Sequence, residues 1–233
     1  LAALKAPLET VGIDDVRVGD FAIISVSTAG VAAGTVAAAA GRLSPIIARG
    51  APQPIEQATL RGAGGMLVLT PVGSGWSTGT TLAVGMRSSG ALARLEMLAR
   101  RAAAGHEPEG RPAPAHSAAP PARLDVTQTP PAIAAAAEDL AAFGPLAAQS
   151  YREPKSGALV HCFVSPGVPA AELAPFAWEL AQAMAQSAPA EALGSFHSAV
   201  LRSGSTRVEI RRLPSAGGPA LILVVGGADT GRP

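Results

Sequence analysis

The sequence predicts an α+β protein built from two tandem copies of one small fold, on three observations. The same strand text recurs about 140 residues apart: Ala58-Thr59-Leu60-Arg61 is answered by Ala199-Val200-Leu201-Arg202. Gly79 to Met86 is likewise answered by Gly218 to Val225. Runs with strand character alternate with segments whose apolar residues recur at helical spacing. Between the copies lies a stretch dense in proline, with Pro108, Pro112, Pro114, Pro120, Pro121, Pro130 and Pro131, which disfavours both helix and ladder. The division is therefore 1–104, a Pro/Ala-rich linker over 105–130, and 131–233.

In the first copy, strand-like text at 7–18 precedes a firmer strand at Phe21–Val26, largely apolar with β-branched residues. A helix is expected over Ala32–Arg49, bent or shortened by Pro45. Strands follow at Ile55–Arg61, Gly65–Val72 and Thr80–Arg87. A last helix over Gly90–Ala103 turns Leu92, Leu95, Met97, Leu98 and Ala99 inward, with Arg94, Glu96, Arg100 and Arg101 outward.

In the second copy, a helix is expected at Pro131–Phe143, with proline suited to its first turn. A hairpin joins Leu146–Arg152 to Ala158–Val164 through Glu153–Gly157. A long helix over Ala170–Ser187 carries the stripe Leu173, Phe176, Ala177, Leu180, Ala181 and Met184. Strands at Ser195–Arg202, Arg207–Leu213 and Ala220–Val225 complete the set.

Composition narrows the function classes. The 233 residues suit two domains of roughly 100 residues. Hydrophobic residues are 48% but aromatics only 3%, so the cores must be Ala, Val, Leu and Ile. A net charge of +1 with 15% charged residues gives no electrostatic footprint for nucleic acid. Only Lys5 and Lys155 are lysine, and the Arg, Ala and Pro bias suggests a GC-rich bacterial genome. The single cysteine, Cys162, excludes a disulfide within the chain and sits in an apolar run, which reads as a buried structural thiol. No signal peptide is visible and no apolar run approaches the ~18–20 residues of a membrane helix, so a cytoplasmic protein without membrane insertion is expected.

The chemical motifs are weak. Gly75-Trp76-Ser77-Thr78-Gly79 matches the nucleophile-elbow pattern GxSxG, which would make the chain a serine hydrolase using Ser77, with Asp139 and His161 or His197 following in order. The elbow requires a helix directly after the serine, whereas Thr80–Met86 reads as a strand, so a hairpin loop is the better reading. Gly62-Ala63-Gly64-Gly65 and Gly226–Gly231 lack the lysine of a P-loop and read as turns. His106, His116, His161 and His197 are scattered, and no pair has metal-ligand spacing. Asp14, Asp15 and Asp20 form a small acidic cluster that reads as a solvated turn, with cation binding as the alternative. Arg207, Arg211 and Arg212, with Glu209, read as the solvent-facing side of a strand, with docking of an acidic partner as the alternative. No catalytic residue, cofactor or metal is expected.

The order of elements, Gly64-Gly65-Met66-Leu67-Val68-Leu69-Thr70-Pro71-Val72-Gly73, and Leu82–Gly85 followed by Gly90–Glu96 resemble the Roadblock (dynein light-chain) family. The match covers about 50 residues of the first copy and, as pattern, nearly all of 131–226. Two departures are an absent opening helix in the first copy and an absent closing helix in the second; a chain trimmed at both ends is the favoured reading, and copies that rely on each other for cover the alternative.

The resemblance implies two five-stranded antiparallel sheets, each with a long helix after strand two and flanking helices. It also implies a non-catalytic regulatory or scaffold module that binds a small Ras-like GTPase or another Roadblock-type protein. Pairing would run through the third strand of each copy: Ile55, Gln57, Thr59 and Arg61 against Phe196, Ser198, Val200 and Arg202. The strands would join into one sheet of about ten, with the two long helices side by side. Pairing within one chain, an internal pseudo-dimer, is favoured over a homodimer; a purely self-assembling structural subunit is a further alternative. Trp178, off the core stripe that holds Phe176, is the candidate contact residue.

Overall fold

The computed structural model describes residues 12–18, 21–27, 31–51, 54–73, 76, 80–87, 96–97, 99–101, 103, 147–152, 159–165, 168–213 and 221–228. The expected linker, the helix at 131–143 and Ser77 lie outside them.

Ten strands form a single sheet. From the first copy come β1 (Gly12–Val18), β2 (Phe21–Ser27), β3 (Gln57–Gly62), β4 (Gly65–Pro71) and β5 (Thr80–Met86). From the second come β6 (Ala147–Arg152), β7 (Leu159–Val164), β8 (Phe196–Ser203), β9 (Thr206–Leu213) and β10 (Leu221–Ala228). Their order is β1-β2-β5-β4-β3-β8-β9-β10-β7-β6, so the two halves repeat one strand order and meet through β3 and β8.

The sheet is mixed, which corrects the expected antiparallel sheets. β2 runs parallel to β5, and β7 parallel to β10. The reason is the crossover after β2. Helix α1 (Ala33–Gly50) has 18 residues, about 27 Å at a helical rise, against about 23 Å for a seven-residue strand. It carries the chain back to the end where β2 began, so β3 starts in the direction of β2. Two hairpin reversals later, β5 does too.

Helix α1 runs through Pro45 without ending there, which corrects the expected shortening. Its inner stripe, Val36, Ala39, Ala40, Leu43, Ile46 and Ile47, is buried on the sheet. The second long helix, α3 (Ala170–Met184), stops before the expected Ser187, and a separate short helix α4 follows at Ser187–Leu193. Between them lie Ala185 and Gln186, and the backbone N–H of each reaches back to a carbonyl three residues earlier. Helical residues at 96–97, 99–101 and 103, labelled α2, complete the set among the described residues.

Two cores sit on the two faces of the sheet. The main one places α1, α3 and α4 on the inner face, over Leu60, Leu67 and Leu69 from one half and Leu201, Ile210 and Val224 from the other. The smaller core lies on the opposite, outer face. There Ala99 and Ala103 of α2 cover Val26, Val68, Val84 and their neighbours. Each fully buried Leu or Ile contributes roughly 2 kcal/mol from lost water contact, so these cores far outweigh exposed pairs such as Arg49–Glu179 at 3.9 Å.

Two glycines allow close approaches that a side chain would block. α1 and α3 approach so closely that a Cβ on Gly50 would lie 2.7 Å from the Phe176 ring. At Gly62 the constraint is stricter, because a Cβ there would fall 2.2 Å from the Leu193 carbonyl oxygen and 2.9 Å from that of Ser195. Both are backbone atoms that cannot rotate away. Gly62→Ala is therefore expected to lower the unfolding free energy by about 2–3 kcal/mol in urea denaturation. Gly64→Ala, whose new Cβ would have its nearest neighbour at 3.5 Å, should change it by about 0.5 kcal/mol or less.

Candidate functional site

The junction of the halves is an antiparallel ladder in which Gln57 faces Arg202, Thr59 faces Val200 and Arg61 faces Ser198. Thr59 and Val200 are equivalent positions of the sequence repeat, 141 residues apart. A local two-fold axis therefore passes between them, and the contact is self-complementary in the manner of a symmetric dimer. Arg61 and Arg202 are equivalent by the same spacing.

Simple alternation would put Phe196 on the same side as Ser198. The structure instead has a bulge: Arg61 pairs with Ser198 but Gly62 pairs with Phe196, leaving His197 as the extra residue. Phe196 consequently points into the main core and is buried. Of the other candidate residues, Ile55 lies in the same core just before β3, and Arg61 is exposed. Trp178 is half-buried and packs against the main core.

A buried polar network fastens the outer side of this ladder. Glu96, on α2, is only 4% exposed. Its Oε1 accepts a hydrogen bond from Thr59 Oγ1 at 2.6 Å, and its Oε2 accepts one from Arg202 Nη1 at 2.5 Å. Gln57 Nε2 donates to the Glu96 backbone carbonyl at 2.9 Å and to Thr70 Oγ1 at 3.1 Å. A buried carboxylate is tolerable only when its charge is matched and its oxygens are hydrogen-bonded, and here each oxygen accepts a bond, one of them from an arginine. Arg202 comes from the other half, so this ion pair is also a tie between halves.

The placement of Glu96 corrects the expectation that it faces outward, and Met97, expected inward, is 38% exposed. On α2 the buried positions are 96, 99 and 103, one stripe of a helix rotated from that expected. Nothing inside the α2 sequence signals this. The cause is Arg202, 106 residues away.

Glu209, on β9, is buried between Arg207, at 3.2 Å, and Arg211, at 2.6 Å. The expected solvent-facing side of that strand is thus partly closed, and β9 lies inside the sheet. At one end of the seam a cleft of about 350 Å³ opens, lined by Arg61, Gly62, Met66, Arg87, His197 and Ser198 among others. Sequence reasoning singled out Arg61 and Ser198 only as pairing residues. Arg87 and His197 join them because β5 ends beside β4 and because of the bulge.

Among the nucleophile candidates, Cys162 is buried, with its thiol pushed up to about 12 by desolvation, and its Sγ lies 3.8 Å from the Ala170 carbonyl. Trp76, inside the GxSxG motif, is buried and donates its indole N–H to the Ile55 carbonyl. Strand β5 begins at Thr80, where an elbow would need a helix. Among the described residues no three His, Cys, Asp or Glu side chains converge as a metal site, and no helix is long and apolar enough to cross a membrane.

No family model, curated protein or solved structure matches the chain. Fold and site define it by class: an α+β protein whose single mixed sheet is shared by two halves across an antiparallel seam.

The buried ionisable groups Glu96 and His161 each have a measurable consequence for stability. Glu96→Gln removes the countercharge of a partly buried arginine and should cost about 2 kcal/mol in unfolding free energy. A double-mutant cycle with Arg202→Gln should recover a coupling of about 1–2 kcal/mol. The second concerns His161, which is buried and whose pKa desolvation lowers from 6.5. Below that value the unfolded chain takes up the proton more readily than the folded one, so stability should fall as pH drops beneath about 6.5. His161→Gln should flatten that limb of the pH–stability curve.

Proposed function

We propose that this chain is a non-catalytic regulatory or scaffold module, an internal pseudo-dimer whose joined halves present one continuous surface to a protein partner. The observation that carries this reading is the self-complementary β3–β8 ladder with the Glu96–Arg202 tie across it. An antiparallel seam of this kind, with helices from both halves over its inner face, is the arrangement by which two subunits of a symmetric dimer share a sheet.

The Roadblock-like order of elements supports a partner of the small Ras-like GTPase class, or another Roadblock-type protein, in a cytoplasmic setting. The finer description, two Roadblock-like five-stranded units, belongs to the same proposal. The fully desolvated thiol of Cys162 and the strand following Ser77 favour a binding role over catalysis.

The test is solution mass by light scattering, repeated after cleavage at a protease site placed within 106–120. The intact chain is expected to be a monomer, and the two cleaved halves are expected to co-elute. A dimeric intact chain whose halves separate would mean that the sheet is completed between chains, as in a self-assembling subunit. A fluorophosphonate probe is expected to leave Ser77 unlabelled, and labelling lost in Ser77→Ala would replace this reading with the hydrolase.

A further inference from the structure

The two-fold relation across the seam makes Arg61 the counterpart of Arg202. Their surroundings differ. Arg202 is covered by the Glu96 carboxylate delivered by α2. Arg61 is exposed, and among the described residues no carboxylate pairs with it or with Arg87. Around Arg61 the structure has an open cleft of about 350 Å³ whose described lining holds Arg61, Arg87 and His197 and no acidic residue. On this chain of net charge +1, two arginines converging without countercharge are a local concentration of positive potential, and His197 adds ring N–H donor capacity beside them.

We propose that this cleft docks an acidic segment of a protein partner, whose carboxylate takes over Arg61 the place that Glu96 takes over Arg202. The inference rests on the platform reading above and gives it a site. The bulge at His197 is part of the device. Consecutive strand residues normally point to opposite faces, yet His197 and Ser198 both line the cleft, because the extra residue re-aims one of them. Both halves contribute, Arg61 and Arg87 from one, His197 and Ser198 from the other, so the site exists only when the seam is closed.

A single small anion is the weaker candidate. Arg61, Arg87 and His197 are all exposed, and an exposed ion pair contributes only about 0–1 kcal/mol. Useful affinity in so open a cleft needs several linked charges, which a peptide supplies. The row continues across the ladder, because Ser198 faces Arg61 on one side and on the other Arg211, which already engages Glu209 through its Nε. Arg61 and Arg211 thus stand two strand spacings apart, about 10 Å, close to the reach of three residues of extended peptide.

The experiment is fluorescence anisotropy of the full chain with fluorescein-labelled hexaglutamate, using labelled hexaglutamine as the neutral control. Hexaglutamate is expected to bind and hexaglutamine not to, with affinity falling as salt rises. The double variant Arg61→Ala/Arg87→Ala should weaken hexaglutamate at least tenfold at an unchanged Tm. Arg42→Ala/Arg49→Ala, which removes the same charge from exposed positions on α1, should weaken it less than twofold.

Equal loss in the two double variants would reduce the effect to net charge and overturn the site. Absence of hexaglutamate binding would overturn it outright. Displacement by inorganic phosphate at the same concentration of charge as hexaglutamate would make it a small-anion site instead. Each of these can fail while the chain remains a monomer with co-eluting halves, so the fate of the cleft and the fate of the platform are read separately.

Discussion

The register of β3 against β8 is the constraint on which everything else in this molecule depends. Because Thr59 meets Val200, its own repeat equivalent, the two halves face each other about a common axis rather than at an arbitrary slip. A shift by one residue would turn Gln57 and Thr59 from the outer face to the inner, and bring Ala58 and Leu60 out of the main core. It would also move Arg202 away from Glu96. The inner face enforces the register through packed aliphatic side chains, the outer face through one buried carboxylate.

Symmetry at the seam is broken by the bulge at His197 in the backbone, and further by side-chain chemistry. Strand order is the same in both halves, yet Glu96 reaches across the axis in one direction only. Thr59 offers a hydroxyl to that carboxylate, whereas its partner Val200 can offer none. Likewise Gln57 and Ser198 occupy matching places, one drawn into the buried network and the other facing an open cleft. Two nearly identical scaffolds thus carry two different surfaces. Duplicated folds gain specificity in this way without altering their frame.

Much of the frame was legible in the sequence because it depends on local pattern. The strands at 21–27, 57–62, 65–71 and 80–86 follow apolar and β-branched runs, and α1 and α3 follow stripes at helical spacing. What was not legible depends on contacts between distant residues. The parallel pairing of β2 with β5 comes from the length of α1, which pattern alone does not convert into direction. The bulge at His197 is written in the close approach of Gly62 to Leu193, a three-dimensional fact. The burial of Glu96 comes from Arg202 in the other half, so within its own helix it reads as an ordinary surface glutamate.

Among the described residues, the outermost strands of the ten-stranded sheet are β1 and β6. The inner margins of the halves, rich in apolar residues, consume each other in a contact that closes on itself and leaves nothing to propagate. Endless growth by strand addition would have to start at β1 or β6. β1 reads Gly-Ile-Asp-Asp-Val-Arg-Val, with three charges in seven residues, two of them adjacent and alike. A further strand docking there would have to pair beside two adjacent aspartates in the sequence of β1. The same duplication that joins the halves through apolar strands thus leaves a charged strand at the outer margin of the first half.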